Sequence, residues 1–203
     1  MKSYDLALIT KKIYDSPLEL YTLKTLRDML AIRETSSLFN IIKRLIKSGI
    51  ITKIERNKYI LKKYTVDDMT LANFIYGPSY ISFESALSYY GILPQFPYEI
   101  TSATIKQTRA KVFNGKRYGY YRIKKELFWG YEKKDNYLIA DKEKALADQL
   151  YLASKGLKKI HLEEYDLSLI DAAKLKTYLL KYPRTRQFNK TIFQLAAISK
   201  YDY

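Results

Sequence analysis

Between Thr35 and Lys47 the apolar residues Leu38, Ile41, Ile42, Leu45 and Ile46 fall at the i, i+3, i+4, i+7, i+8 spacing of one buried helical stripe. A helix patterned this way needs an apolar partner, and the flanking chain offers one. Upstream, Leu6, Ile9 and Ile13 predict a helix from Ser3 to Tyr14, ended by Ser16-Pro17. Thr22 is placed to cap a short second helix bearing Leu23, Leu26, Met29 and Leu30. Downstream, Ser48-Gly49 stops the third helix. Two β-rich runs, 50–54 and 58–61, joined by Glu55-Arg56-Asn57, then predict a hairpin with a charged tip. Helix, helix, turn, helix, hairpin is the order of a winged helix-turn-helix domain over residues 1–65.

A small three-helix α+β dimerisation module would show the same core pattern. The outer face of the third helix distinguishes the two, with Ser36, Ser37, Asn40, Lys43, Arg44 and Lys47 and no acidic residue after Glu34. A solvated helix ordinarily mixes in acids, so this face is expected to meet DNA. The N-terminal end of a recognition helix enters the major groove, which makes Thr35, Ser36, Ser37 and Asn40 the candidates for base edges. Lys43, Arg44 and Lys47 are candidates for phosphate contacts, joined by Arg56 and Lys58 of the hairpin.

The rest of the chain, 66–203, is expected to be a mixed α/β C-terminal domain with a small antiparallel sheet and a helical tail, so the whole chain is of the α+β class. Helices are predicted over 69–76 and 82–90, around the break at Gly77-Pro78. Strands are predicted over 97–105, 110–113, 117–123, 127–132 and 137–140, with Asn114-Gly115 as a strong hairpin signal. Asp141 is placed to cap a helix with Ala145, Leu146, Leu150 and Ala153 on its inner stripe. Helices over 168–181 and 187–199, split by Pro183, complete the chain.

Charge sharpens this division. The net charge is +15, with 27 Lys and 9 Arg, and A/T-rich codons alone could inflate lysine. Codon bias does not explain the placement, however. Residues 1–65 carry net +8, residues 100–125 carry another +8 with no acid, and the remaining 112 sum to −1. Lys106, Arg109, Lys111, Lys116, Arg117 and Arg122 therefore form a candidate second basic surface, for DNA or another acidic partner. The interleaved Tyr118, Tyr120 and Tyr121 are expected to face a core.

Several function classes are excluded or disfavoured. With no Cys and a single His, thiol catalysis, disulfide frameworks and Cys- or His-based metal sites drop out. No GxGxxG, GxxxxGK[ST] or GxSxG motif occurs. Asp141, Glu143 and Asp148 could in principle serve a metal-dependent nuclease targeted by the winged helix. A second alternative is a ligand-responsive regulator. The favoured expectation is a protein with no catalytic residues, no metal and no cofactor. No apolar run approaches the ~20 residues of a membrane span, and the first residues lack a signal-peptide pattern, so a soluble, cytoplasmic protein with no membrane partner is expected.

One ordered string carries a family resemblance. PSYISFESALSYYGILP (78–94), ITSAT (100–104), the basic hairpin, ELFWGY (126–131) and IADKEKALADQLYL (139–152) follow the N-terminal module. Together they resemble the AbiEi antitoxins of abortive-infection, type IV toxin–antitoxin systems, which act in phage defence. The resemblance implies a repressor of its own operon that binds inverted repeats in promoter DNA through the winged helix. It further implies a C-terminal domain that neutralises a nucleotidyltransferase-type toxin without a stable complex. A monomer in solution that pairs on DNA fits this expectation.

Overall fold

The computed structural model describes residues 5–63, 65–95 and 97–199. The Ser3–Tyr4 end of the predicted first helix lies outside the described residues. Contacts divide the chain into two compact units, Met1–Asp67 and Asp68–Tyr203. The architecture is α+β, with a small antiparallel sheet in the first unit and a larger mixed sheet in the second.

The first unit contains α1 (Leu6–Tyr14), β1 (Leu20–Thr22), α2 (Leu23–Leu30), α3 (Thr35–Lys47), β2 (Ile51–Glu55) and β3 (Lys58–Leu61). Local chemistry sets its boundaries. The Asp5 carboxylate accepts from the Ala7 N–H to start α1, and the Thr22 hydroxyl accepts from the Thr25 N–H to start α2. At the end of α3 the chain turns through Gly49, and Ile50 N–H returns to the Leu45 carbonyl at 3.0 Å. The three strands run in the order β1-β3-β2, all antiparallel. The stripe of α3 closes on α1, α2 and the sheet, burying Leu38, Ile41, Ile42 and Leu45 with Ile13, Tyr21, Leu26 and Tyr59. Each such side chain contributes about 1.5–3 kcal/mol of hydrophobic stabilisation. Ile46 departs from the predicted stripe, standing 38% exposed at its edge.

The second unit contains α4 (Asp68–Ile75), β4 (Ser79–Ile81), α5 (Phe83–Tyr89), β5 (Glu99–Thr104), β6 (Arg109–Phe113) and β7 (Lys116–Arg122). It continues with β8 (Tyr131–Lys134), β9 (Tyr137–Ala140), α6 (Lys142–Ser154), α7 (Ala172–Leu179) and α8 (Arg186–Ser199). Its sheet is not the small antiparallel one expected from sequence. Six strands run β6-β7-β5-β4-β9-β8, with β5/β7 and β4/β9 parallel and the other pairs antiparallel. The physical reason is β4, whose three residues are too few to display alternation yet lie between β5 and β9 and join the β6-β7-β5 strands to the β9-β8 hairpin in one sheet. Helix α4 covers one face and α5 with α6 the other, while α7 and α8 pack on the far side of α6.

Two further boundaries differ from the sequence reading. The strand predicted over 127–132 begins only at Tyr131, because a 3-10 turn, Lys125–Leu127, and the left-handed Gly130 precede it. The helix predicted from 168 starts at Ala172, where the Asp171 carboxylate accepts from the Lys174 N–H at 3.0 Å. Helix α6 also lacks the single inner stripe expected of it. Glu143 through Leu152 are all buried, since the helix is enclosed by neighbours on every side.

Candidate nucleic-acid interface

The outer face of α3 stands where its inner stripe requires. Thr35, Ser36, Asn40, Lys43, Arg44 and Lys47 are exposed and Ser37 is half-buried. The hydroxyls at its N-terminal end are already engaged within the chain. Ser36 and Ser37 donate to the two oxygens of Glu34 at 2.5 and 2.7 Å, and the Arg27 guanidinium donates to Thr35 Oγ1 at 3.3 Å. Those two hydroxyl bonds hold the Glu34 carboxyl below its ordinary pKa. Sequence reading missed this zoning, in which a carboxylate sits at the mouth of the face and cations follow along its length. The i, i+2, i+3 spacing of Glu34, Ser36 and Ser37 was the available signal. In the hairpin, Arg56 is exposed at the tip and Lys58 half-exposed beside it. The tip is tied back to the start of α2 by a 2.9 Å bond from Leu23 N–H to the Asn57 carbonyl.

The second predicted basic surface is divided by strand geometry. Residues directly opposed on antiparallel strands share a face. Arg109 and Lys111 therefore project with their partners Tyr120 and Tyr118, on the α4 side. There Lys106 and Arg109 approach the Tyr76 ring at 5.4 and 5.8 Å, and Lys116 lies 3.6 Å from Asp68. Tyr118 and Tyr120 are buried and donate to Asp68 and to the Ala72 carbonyl. Arg117 is on the opposite face, bonded to Glu99 at 2.8 Å. Tyr121, half-buried, donates to Glu99 as well, and Lys158 bridges Glu84 and Glu99 at 3.1 and 3.5 Å. Burial raises the Glu99 pKa, but the bonds from Tyr121 and Arg117 outweigh it and hold the carboxyl low. Arg122 belongs to neither group. It lines a cleft of about 700 Å³ with Ile105, Ile123, Lys124, Lys125, Glu126 and Lys155.

The three carboxylates considered for nuclease chemistry are each held by protein donors. Asp141 accepts from the Lys144 N–H at 2.8 Å and from the Tyr178 hydroxyl at 2.9 Å. Buried Glu143 accepts from the Asp171 N–H at 3.0 Å and lies 2.9 Å from the Lys174 ammonium. Asp148, wholly buried, takes four donors: the Tyr80 and Ser82 hydroxyls at 2.9 Å, the Tyr182 hydroxyl at 2.7 Å, and the Lys144 ammonium. Lys144 in turn donates to Tyr182 and lies 4.8 Å from the Trp129 ring centre. Burial lowers the Lys144 pKa, an effect that Asp148 opposes. The i, i+4 spacing of Lys144 and Asp148 was the one sequence sign of this pair. His161 is exposed, 3.4 Å from Glu163. Among the described residues, no group of three or more His, Cys, Asp or Glu gathers to hold a metal ion, and no helix is long and apolar enough to cross a membrane.

No family model matches the chain, and no curated protein matches it.

Proposed function

We propose that the chain is a DNA-binding antitoxin of the AbiEi type, which represses its own operon through an N-terminal winged helix and counters a nucleotidyltransferase-type toxin through its C-terminal unit. The observation that carries the reading is the outer face of α3. Asn40, Lys43, Arg44 and Lys47 stand exposed on a helix whose opposite stripe is buried. The β1-β3-β2 sheet behind it and the hairpin with Arg56 and Lys58 supply support of the same kind. In this reading the Glu34–Ser36–Ser37 end addresses base edges, where a carboxylate can accept from a cytosine amino group. The Lys43–Arg44–Lys47 end neutralises phosphate. The partner is promoter DNA with inverted repeats, bound in the cytoplasm by a monomer that pairs on DNA, and the basic side chains of residues 100–125, divided between the two faces of the sheet, serve DNA or antitoxicity.

The test is a gel-shift titration on the DNA upstream of the chain's own gene, from 50 to 200 mM salt. Each phosphate contact contributes about −0.9 to the slope of log K against log salt. Lys43→Ala/Arg44→Ala is therefore expected to weaken binding on every sequence and to flatten that slope by about 1.8. Unchanged affinity and slope in the double variant would overturn the DNA-binding reading. Rescue of growth on co-expression with a neighbouring nucleotidyltransferase gene tests the antitoxin part, and failure of rescue overturns it.

A further inference from the structure

The cleft at Arg122 is built at a particular place in the second unit. Strands β5 and β7 are parallel neighbours, in register from Glu99↔Arg117 to Thr104↔Arg122. Ile105 is the first residue after β5, and Ile123, Lys124 and Lys125 are the first after β7, so the cleft lies at the carboxyl ends of the parallel pair. Such ends are where open sheets with parallel strands take ligands, because departing chain segments leave a crevice there. Its walls are fixed by backbone bonds: Ile123 N–H to the Thr104 carbonyl at 2.9 Å, and Leu127 N–H to the Lys124 carbonyl at 3.0 Å. The Arg122 N–H is held by Thr108 Oγ1 at 3.0 Å. A volume of about 700 Å³ falls within the range of small-molecule sites.

Its charge is as one-sided as its position is defined. Arg122, Lys124, Lys125 and Lys155 line the cleft against a single acid, Glu126. Several other cations of this unit have carboxylate partners, among them Arg117 with Glu99, Lys116 with Asp68, Lys158 with Glu84 and Glu99, and Lys174 with Glu143. Among the described residues none of the four cleft cations makes an ion pair within the chain. Lys155 is instead set over the Tyr151 ring, 4.2 Å from its centre. Four like charges on a shared wall repel one another, and a multiply charged anion removes that cost while gaining charge-assisted hydrogen bonds. We propose that this cleft binds a triphosphate group, with Arg122, Lys124, Lys125 and Lys155 on its oxygens. The triphosphate arrives either as an inorganic chain or on a nucleoside, whose sugar hydroxyls would meet Glu126.

Calorimetric titration of the full chain in magnesium-free buffer tests this with four probes: inorganic tripolyphosphate, ATP, GTP and orthophosphate. The expected result is saturable one-to-one binding of tripolyphosphate and the nucleotides, with orthophosphate much weaker. Lys124→Ala/Lys125→Ala should weaken binding by about tenfold or more. Lys155→Met is expected to do so in the same direction. These side chains are exposed at the rim, and unchanged Trp129 fluorescence checks that each variant is folded. Lys43→Ala/Arg44→Ala is expected to leave triphosphate binding intact, so failure of the DNA reading and failure of this one are distinguishable. ATP or GTP tighter than tripolyphosphate identifies a nucleotide ligand, and equal affinities identify the polyphosphate itself. Binding that never saturates, or that survives Lys124→Ala/Lys125→Ala undiminished, overturns the proposal.

Discussion

Replacing Asp148 by Asn changes one atom of a side chain that four donors converge on. The carboxylate receives the Tyr80 and Ser82 hydroxyls on one oxygen and the Tyr182 hydroxyl and Lys144 ammonium on the other. An amide keeps one acceptor oxygen and presents two N–H donors where the other pair of donors points. With its oxygen kept toward Lys144 and Tyr182, the amide turns its N–H donors to the Tyr80 and Ser82 hydroxyls, which must rotate to accept, and in either orientation Lys144, which is 0% exposed, loses its counter-charge. Breaking a buried ion pair from one side costs about 3–5 kcal/mol. Domains are held by about 5–15 kcal/mol in all, so Asp148→Asn should leave the second unit marginal. The chain's single tryptophan, Trp129, packs against Tyr178, Tyr182 and Lys144. Urea unfolding followed by its fluorescence therefore reports on this site directly. A cycle with Lys144→Met and the Lys144→Met/Asp148→Asn double variant should show the two losses to be strongly non-additive. An Asp148→Asn protein within about 1 kcal/mol of the parent, or an additive cycle, would refute the argument.

Alkali should unfold the second unit by a related route. Burial, with Asp148 beside both groups, raises the Tyr80 and Tyr182 pKa values well above 10. The unfolded chain then releases protons above about pH 10 that the folded chain keeps, so this stability is present below that pH and lost above it. Each group contributes a slope of up to about 1.4 kcal/mol per pH unit. Tyr182→Phe should make the loss of stability above about pH 10.5 measurably shallower in urea titrations, and an unchanged slope counts against the assignment. Gly130→Ala tests the wall beside Lys144. Gly130 has φ +72° and an added Cβ would stand 2.9 Å from the Lys144 Cγ, so thermal unfolding should reveal a loss of about 2 kcal/mol or more.

Legibility from sequence followed the range of the interactions. The α3 stripe, the Thr22 and Asp141 caps and the Asn114-Gly115 turn are written in residues within a few positions of one another, and each forms as the spacing predicts, Ile46 at the edge of the stripe excepted. Strands β1 and β4 are three residues each, too short for any periodicity to register. Helix α6 defeats the amphipathic rule because Glu143, Lys144 and Asp148 look like solvent residues while their partners arrive from α7, β4 and the chain after α7. For the candidate interface, the exposed residues of α3 are legible from the stripe, whereas their bonds to Glu34 and Arg27 depend on side-chain rotamers that spacing does not fix. For the six basic residues of 106–122, strand pairing sends Arg109 and Arg117 to opposite faces, a division set by register rather than by local spacing. Lys155 reaches the cleft from the position just after α6, about thirty residues downstream of Arg122, which no local pattern records.

The three residues of β4 also govern how the second unit can assemble. Ile81 meets Ser102 on one side and Ile139, nearly sixty residues away, on the other, so without β4 the β6-β7-β5 strands and the β9-β8 hairpin would each keep an open inner edge. Closure of so long a loop comes before most of its contacts can reward it, which makes folding slow and cooperative. A chain cut anywhere between β5 and β9 would expose strand edges with nothing to pair against, a form prone to aggregate and to proteolysis. The abundance of the intact unit in a cell would therefore respond sharply to interrupted synthesis.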